Sequence, residues 1–395
     1  MWIDREIYHS IKENKDPIQI IRGPRQCGKS SLILRLDPSF KELSLDDPSL
    51  RELAQTDPEL FLKQFSGQKI FIDEAQYAPN LFPSLKRKID IIKRQAHFKS
   101  QTLVRLSGSN QILMDKFVKE SLAGRASFFD MNTLSLSETI NAKPQIGVQN
   151  FLYMGGWPEL HASEAKNVKK YLDDYISSYV EKDIVLAAGI QKSREFLNLL
   201  KLLAGRTAEI LNVSSLSNDI GVDAGTVKSW ISVLEKMGVI ALIQPFHSNL
   251  SSRLIKSPKV YFLDTGLACR LQGWTAAEPI LTSPQQGHLF ENLVFSEIWK
   301  LNINHQLGWS LFHWRSRAGE EVDLLIQKSP QEFLFVEAKV TAQRVPDLRT
   351  YPEIKRVFKG QPPPLILCHQ EGEHILDIKV PIKFLASHLL RGEAF

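Results

Sequence analysis

Cysteine is scarce in this 395-residue chain: only Cys27, Cys269 and Cys368 occur, widely spaced and odd in number. That pattern argues against a disulfide framework, and the lack of any CxxC pair argues against a structural zinc site. Long apolar runs are missing too. No stretch approaches ~18 consecutive apolar residues, so no membrane span is expected. The opening residues, Met1-Trp2-Ile3-Asp4-Arg5-Glu6, carry charge where a secretory signal needs an apolar run, which makes the cytoplasm the expected location. There is no internal repeat, and the one low-complexity patch, Pro362-Pro363-Pro364, reads as a loop. Charge of one sign is not in large excess either. The net charge of +5 permits a nucleic-acid partner without demanding one.

What is present suits a folded protein of more than one domain. The chain is 43% hydrophobic and 24% charged, which supports a core, and its length exceeds what one core usually serves. Residues 1–145 alternate buried-strand runs (18–21, 69–72, 102–106) with helical stretches, the pattern of a parallel α/β sheet. Residues 146–284 turn helical, with long stretches over 168–188 and 194–204. Within them, 214–240 reads as helix–turn–helix: Leu216, Ile220, Val227, Ile231 and Leu234 supply the apolar faces and residues 221–223 the turn. Possible wing strands follow at 240–244 and 259–263, so this is expected to be a winged helix. Residues 285–395 return to α/β, with a helix over 288–301 and strands at 310–314, 321–326, 333–338 and 365–368.

Between the first strand and its helix lies Gly23-Pro24-Arg25-Gln26-Cys27-Gly28-Lys29-Ser30-Ser31, which fits GxxxxGK[ST], the Walker A pattern. Glycines at those positions let backbone N–H groups turn inward around a phosphate, and the helix start adds partial positive charge. Lys29 is expected to reach the β- and γ-phosphates of ATP and Ser30 to ligate magnesium. The second strand ends in Asp73-Glu74, a Walker B pair in which Asp73 holds the magnesium and Glu74 polarises the attacking water. Ser107 and Asn110, past the third strand, are both sensor candidates, and nothing in the sequence separates them. Arg125, before the apolar segment 126–136, is a candidate for stabilising transition-state charge in its own subunit or a neighbour's, the second implying a homo-oligomer.

A second set of ionisable residues stands near the C-terminus. Asp323 and Glu337 are 14 residues apart, a suitable spacing for two strands joined by a tight turn. Glu337 and Lys339 differ by two and therefore share a strand face. Charges on a face that should be buried need a partner, and a divalent cation, Mg2+ or Mn2+, held by Asp323 and Glu337 would supply one. Lys339 would then position or activate a water for attack on phosphate, and Glu291 on the preceding helix completes the acidic cluster. The arrangement resembles the D…ExK pattern of the restriction-endonuclease-like, PD-(D/E)XK fold. His313, Trp314, Arg315 and Arg317 are candidates to meet a nucleic acid backbone or base. On the winged helix, Lys228, Lys236, Arg253, Lys256 and Lys259 are candidate DNA phosphate contacts, although such modules also serve as spacers.

These segments together resemble a family of prokaryotic AAA+-type ATPases whose C-terminal region is catalogued as domain of unknown function 4143. The resemblance rests on GPRQCGKSSL, FIDEAQYAPNLFPSLKRKID, RLSGSNQILM and SLAGRASFFDMNTLSLSE. YMGGWPEL, YVEKDI, YFLDTGLA, GHLFENLVFSEI, FHWRSRAGEEVDLLI and FVEAKV extend it over nearly the whole chain. It implies ATP and magnesium at Lys29, Ser30, Asp73 and Glu74, and a metal site of restriction-endonuclease type at Glu291, Asp323, Glu337 and Lys339. Residues 132–137 lack a proline the family often shows, and Cys27 stands where the family tolerates several residues. The function expected from all this is ATP hydrolysis coupled to a metal-dependent nuclease-like domain acting on nucleic acid. The alternative is an ATP-dependent switch that binds a protein or DNA partner and cuts nothing.

Overall fold

In the computed structural model, placement is described for residues 2–94, 101–114, 122, 124–163, 167–246, 257–316, 319–341, 347–359, 362–370, 372, 375 and 378–391; side chains at 180–183, 186, 187 and 281 are not described. The chain is mixed α/β. Its N-terminal part is a fully parallel five-stranded sheet in the order β2-β3-β4-β1-β5, made of β1 (Ile18–Arg22), β2 (Lys41–Ser44), β3 (Ile70–Asp73), β4 (Val104–Gly108) and β5 (Ala126–Asp130). Alternation along the strands explains why helices cover both faces. Ile18, Ile20, Ile70 and Ile72 enter one apolar cluster, while Ile21 and Phe71 enter the cluster on the other side. One of these strands carries no clear sequence signal. β2 is an edge strand reading Lys-Glu-Leu-Ser, with only Leu43 buried, so it lacks the apolar run that marked its neighbours.

The middle of the chain is helical. The stretch expected as one helix from 168 to 188 is α-helical over Val168–Tyr175, π-helical over Ile176–Ile184 and α-helical again over Val185–Ala188. Hydrophobic spacing alone does not distinguish these forms. Helices Val213–Ile220 and Ala224–Lys236 follow, joined by a turn in which Gly221 adopts φ +70° and Asp223 caps the second helix by accepting from Thr226 N–H. β6 (Ile240–Ile243) and β7 (Lys259–Phe262) then pair antiparallel.

The C-terminal part is a second five-stranded sheet, in the order β12-β11-β10-β9-β8: β8 (Ser310–Arg315), β9 (Glu321–Gln327), β10 (Phe333–Lys339), β11 (Leu365–His369) and β12 (Lys379–Pro381). β8, β9 and β10 run antiparallel and β10, β11 and β12 parallel. The helix Gln286–Asn304 lies against this sheet, and one continuous apolar cluster extends from Leu136 through the central helices to Leu389. Among the described residues no helix is long and apolar enough to cross a membrane.

Candidate functional site

The phosphate-binding loop leaves β1 at the edge of the sheet where β3 and β4 also end. Gly23 has φ +156°, and a Cβ there would lie 2.0 Å from the Met131 carbonyl oxygen, so only glycine fits. Gly28, at φ +95°, starts the helix Lys29–Leu36, and Gln26 is also left-handed at φ +61°. The loop is clasped from outside: Arg5 donates to the Cys27 carbonyl at 2.8 Å and to the Asn132 carbonyl at 2.7 Å. Tyr171, on the central helix, donates to Gln26 Oε1 at 2.6 Å.

Inside the loop the expected residues converge. Lys29 is buried, its ammonium donating to the Gly23 and Pro24 carbonyls at 3.0 and 2.8 Å. Ser30 Oγ donates to Asp73 Oδ2 at 2.8 Å, so the hydroxyl and carboxylate expected on magnesium are already together. Ser107 Oγ donates to the other oxygen of Asp73. Glu74, left-handed at φ +53°, accepts from Ser109 Oγ at 2.9 Å and from Gln76 Nε2.

The two sensor candidates have different partners. Ser107 faces Asp73, whereas Asn110 Oδ1 accepts from Leu113 N–H and caps its own turn. Ser109, Gln76, Arg5 and Tyr171 were not singled out in the sequence. Ser109 had a signal, since it stands two residues from Ser107 at the end of a strand and so shares its face.

Arg125 is a correction within one chain. β5 runs parallel to β1 with Ala126 opposite Ile18, so Arg125 lies at the far edge of the sheet from the loop. The five residues of β1 span four steps between the two edges, about 13 Å at the usual rise. Its guanidinium instead grips Asp90 at 2.7 and 3.0 Å.

The C-terminal residues also share one place. A cavity of about 580 Å³ is lined by Glu291, Asp323, Glu337, Lys339, Lys259 and Glu321 among others. Asp323 Oδ2 accepts from Ala338 N–H at 2.8 Å, which ties β9 to β10, and Lys339 Nζ lies 2.7 Å from Glu337 and 3.8 Å from Asp323. Glu291 is pushed up to about 7 by burial and by the nearby Asp323, and Glu337 is raised for the same two reasons. Three buried carboxylates of this kind are a donor set that suits a hard divalent cation. Among the described residues, however, no group of three such side chains is gathered closely enough to hold an ion as it stands. Lys339 holds Glu337, and Lys259 holds Glu291 at 3.0 Å and Glu321 at 2.9 Å.

Lys259 is therefore a correction. It is buried in the acidic cavity rather than placed on a surface for DNA, because strand alternation turns residue 259 toward Glu291. His313 and Trp314 are corrected likewise. Trp314 is buried against Phe246, Phe335 and Phe358, and burial together with Lys259 lowers His313 to about 4, leaving it neutral. Lys228 and Lys236 are exposed, while Arg253, Lys256 and Arg317 lie outside the described residues.

Family models match three successive parts of the chain: an AAA domain over residues 15–140, the domain of unknown function DUF8612 over 147–278, and the domain of unknown function DUF4143 over 286–384. The chain thus carries an AAA-type, P-loop ATPase-like domain joined to a DUF4143 domain. An uncharacterized protein of Mycobacterium tuberculosis is 26% identical over 323 residues, covering 82% of this chain and 70% of that protein. One of Haemophilus influenzae is 21% identical over 355 residues, covering 82% and 83%. Among solved structures, the Walker-type ATPase of Pyrococcus abyssi matches with TM-score 0.40 and 15% identity over 68% of this chain and 93% of that one. The ORC2 protein of Aeropyrum pernix, in ADPNP–ADP complexes, matches with TM-score 0.33 and 11% identity over 65% and 86%.

Proposed function

We infer that the N-terminal domain binds and hydrolyses ATP with magnesium, and that the C-terminal cavity is a metal-dependent, nuclease-like centre acting on nucleic acid. The observation that carries the first part is the meeting of Ser30, in the first turn of the helix after the loop, with Asp73 at the end of β3 and Ser107 near the end of β4, with Lys29 and Glu74 next to them in sequence. Loop amides and Lys29 would bind the phosphate oxygens, and Ser30 and Asp73 are the residues that would hold magnesium. When bound, magnesium would neutralise charge on the phosphates. Glu74, oriented by Ser109 and Gln76, takes the proton from the water that attacks the γ-phosphorus.

Phosphate release tests this directly. Lys29→Ala should lower turnover by at least about 100-fold, the scale for losing one transition-state donor, with an unchanged melting temperature. Turnover at the wild-type rate in that variant removes the loop assignment.

For the second part, labelled single- and double-stranded DNA and RNA are incubated with ATP and either Mg2+ or Mn2+. Cleavage by the wild type that disappears in Asp323→Ala supports the nuclease reading, and cleavage that persists assigns it elsewhere. The non-cutting switch, binding a protein or DNA partner, is favoured by one observation: the acids are already balanced by Lys259 and Lys339. Absence of cleavage on all substrates, with ATP turnover intact, selects it. The helix–turn–helix and its two strands are read as a winged helix, with Lys228 and Lys236 as its exposed cations. Assembly into a homo-oligomer is the arrangement in which Arg125 would serve a neighbouring subunit.

A further inference from the structure

We propose that Lys259 and Tyr261, both outside the DUF4143 segment, are positioning residues of the C-terminal centre that fix the Glu291 carboxylate for a divalent cation. This rests on the metal-centre reading given above. Lys259 Nζ lies 3.0 Å from Glu291 Oε1, and Tyr261 Oη donates to the same oxygen at 2.6 Å. Two donors on one oxygen set the plane of the carboxyl group, so Glu291 reaches a cation through Oε2.

The placement is built into the strand. β7 reads Lys-Val-Tyr-Phe, so residues 259 and 261 share one face and residues 260 and 262 the other; the Tyr261 ring stacks on Phe295 at 4.2 Å while its hydroxyl reaches Glu291. Its register against the helix Gln286–Asn304 is locked by Asn292, the residue next to Glu291. Asn292 Oδ1 accepts from Phe262 N–H at 2.7 Å, and Asn292 Nδ2 donates to the Phe262 carbonyl at 3.0 Å. A two-residue alternation and a two-point clamp therefore deliver both side chains to the same carboxylate.

Packing alone does not account for the lysine. Only 3% of Lys259 is exposed, and burying an ammonium carries a desolvation cost that an apolar residue on the same strand avoids. Its second partner, Glu321, opens β9, which also carries Asp323 two residues later. Lys259 thus links the helix that holds Glu291 to the strand that holds Asp323. Residues from the central segment complete a centre whose acids all lie in the C-terminal one.

The test is calorimetric titration of the full chain with Mn2+ alone, with each variant's melting temperature measured in parallel. Lys259→Met should weaken Mn2+ binding by about 10- to 100-fold, the scale for losing an outer partner of a metal ligand. Lys259→Arg, which returns a cation to Glu291, should recover at least half of that loss on a logarithmic scale. Tyr261→Phe should weaken binding too, by less than Lys259→Met. Wild-type affinity or tighter binding in Lys259→Met overturns the proposal, because the lysine would then compete with the ion. Failure of Lys259→Arg to recover any affinity overturns it as well. If Lys259→Met does not fold, Tyr261→Phe decides, and unchanged affinity there overturns the proposal. Wild-type protein that takes up no Mn2+ overturns the metal-centre reading and this inference together.

Discussion

At the ends of β1, β3 and β4, the buried cation is held by backbone. Loop carbonyls hold Lys29, and the loop bends through left-handed Gln26 and Gly28. Between β7, β9 and β10, the cations are held by side chains, with Lys259 and Lys339 facing four carboxylates. The first site comes from one short loop and two neighbouring strand ends. The second draws on residues spread from 259 to 339. A backbone site tolerates changes in its surroundings only as far as its turns do, while a side-chain site is as strong as its charge balance. The two regions should therefore fail in different ways.

The largest expected effect is chemical and confined to the loop region. Glu74→Gln keeps the shape of the side chain but cannot take a proton, so turnover should fall by about 10²- to 10⁴-fold while nucleotide affinity stays near the wild-type value. A turnover assay beside a nucleotide titration measures both. Equal losses in affinity and turnover would make Glu74 a binding residue and weaken the contrast drawn here.

Next comes a backbone effect. A Cβ on Gly156 would lie 2.0 Å from the Leu134 carbonyl oxygen, a backbone atom that has no room to retreat. Gly156→Ala should therefore destabilise the chain by roughly 3 kcal/mol or more, read from denaturant melts. A loss below about 1 kcal/mol would show that this junction is soft.

The smallest effect is electrostatic and belongs to the helix Gln286–Asn304. Burial lifts Glu297 from its ordinary 4.5 to about 7, against the opposing pull of Lys300 and the Leu136 N–H. Folding thus favours the protonated carboxyl. Its contribution is complete below about pH 4.5 and is lost as the pH rises through about 7. Glu297→Gln retains an oxygen for the Leu136 N–H, bonded at 2.8 Å in the native chain. Between pH 4.5 and 7 the wild type should lose up to about 3 kcal/mol more than this variant. Parallel stability curves would show that Glu297 is ionised throughout that range.

The same contrast explains what could be read without coordinates. GPRQCGKS announces its own conformation, because the glycines, the lysine and the serine act within one turn of chain. The buried runs of β1, β3 and β4 are equally plain, and so is the Glu337–Lys339 pair on one strand face. β2 was hidden because an exposed edge strand has no need of apolar residues. The π-helical stretch was hidden because its spacing mimics an α-helix. Lys259 was misread since its partner, Glu291, lies 32 positions on, and locally a lysine opening a strand looks solvated. Long-range charge pairing leaves no mark in a short window.

The apolar cluster that runs from Leu136 to Leu389 has a consequence for how the protein comes apart. Backbone bonds reinforce that continuity where the central segment meets the last sheet: His313 N–H reaches the Gln244 carbonyl at 3.1 Å, and Phe246 N–H reaches that of His313 at 2.8 Å. With no seam in the oil, a nick near residue 285 leaves both halves clinging to each other. Heat should melt everything beyond the first sheet in a single step.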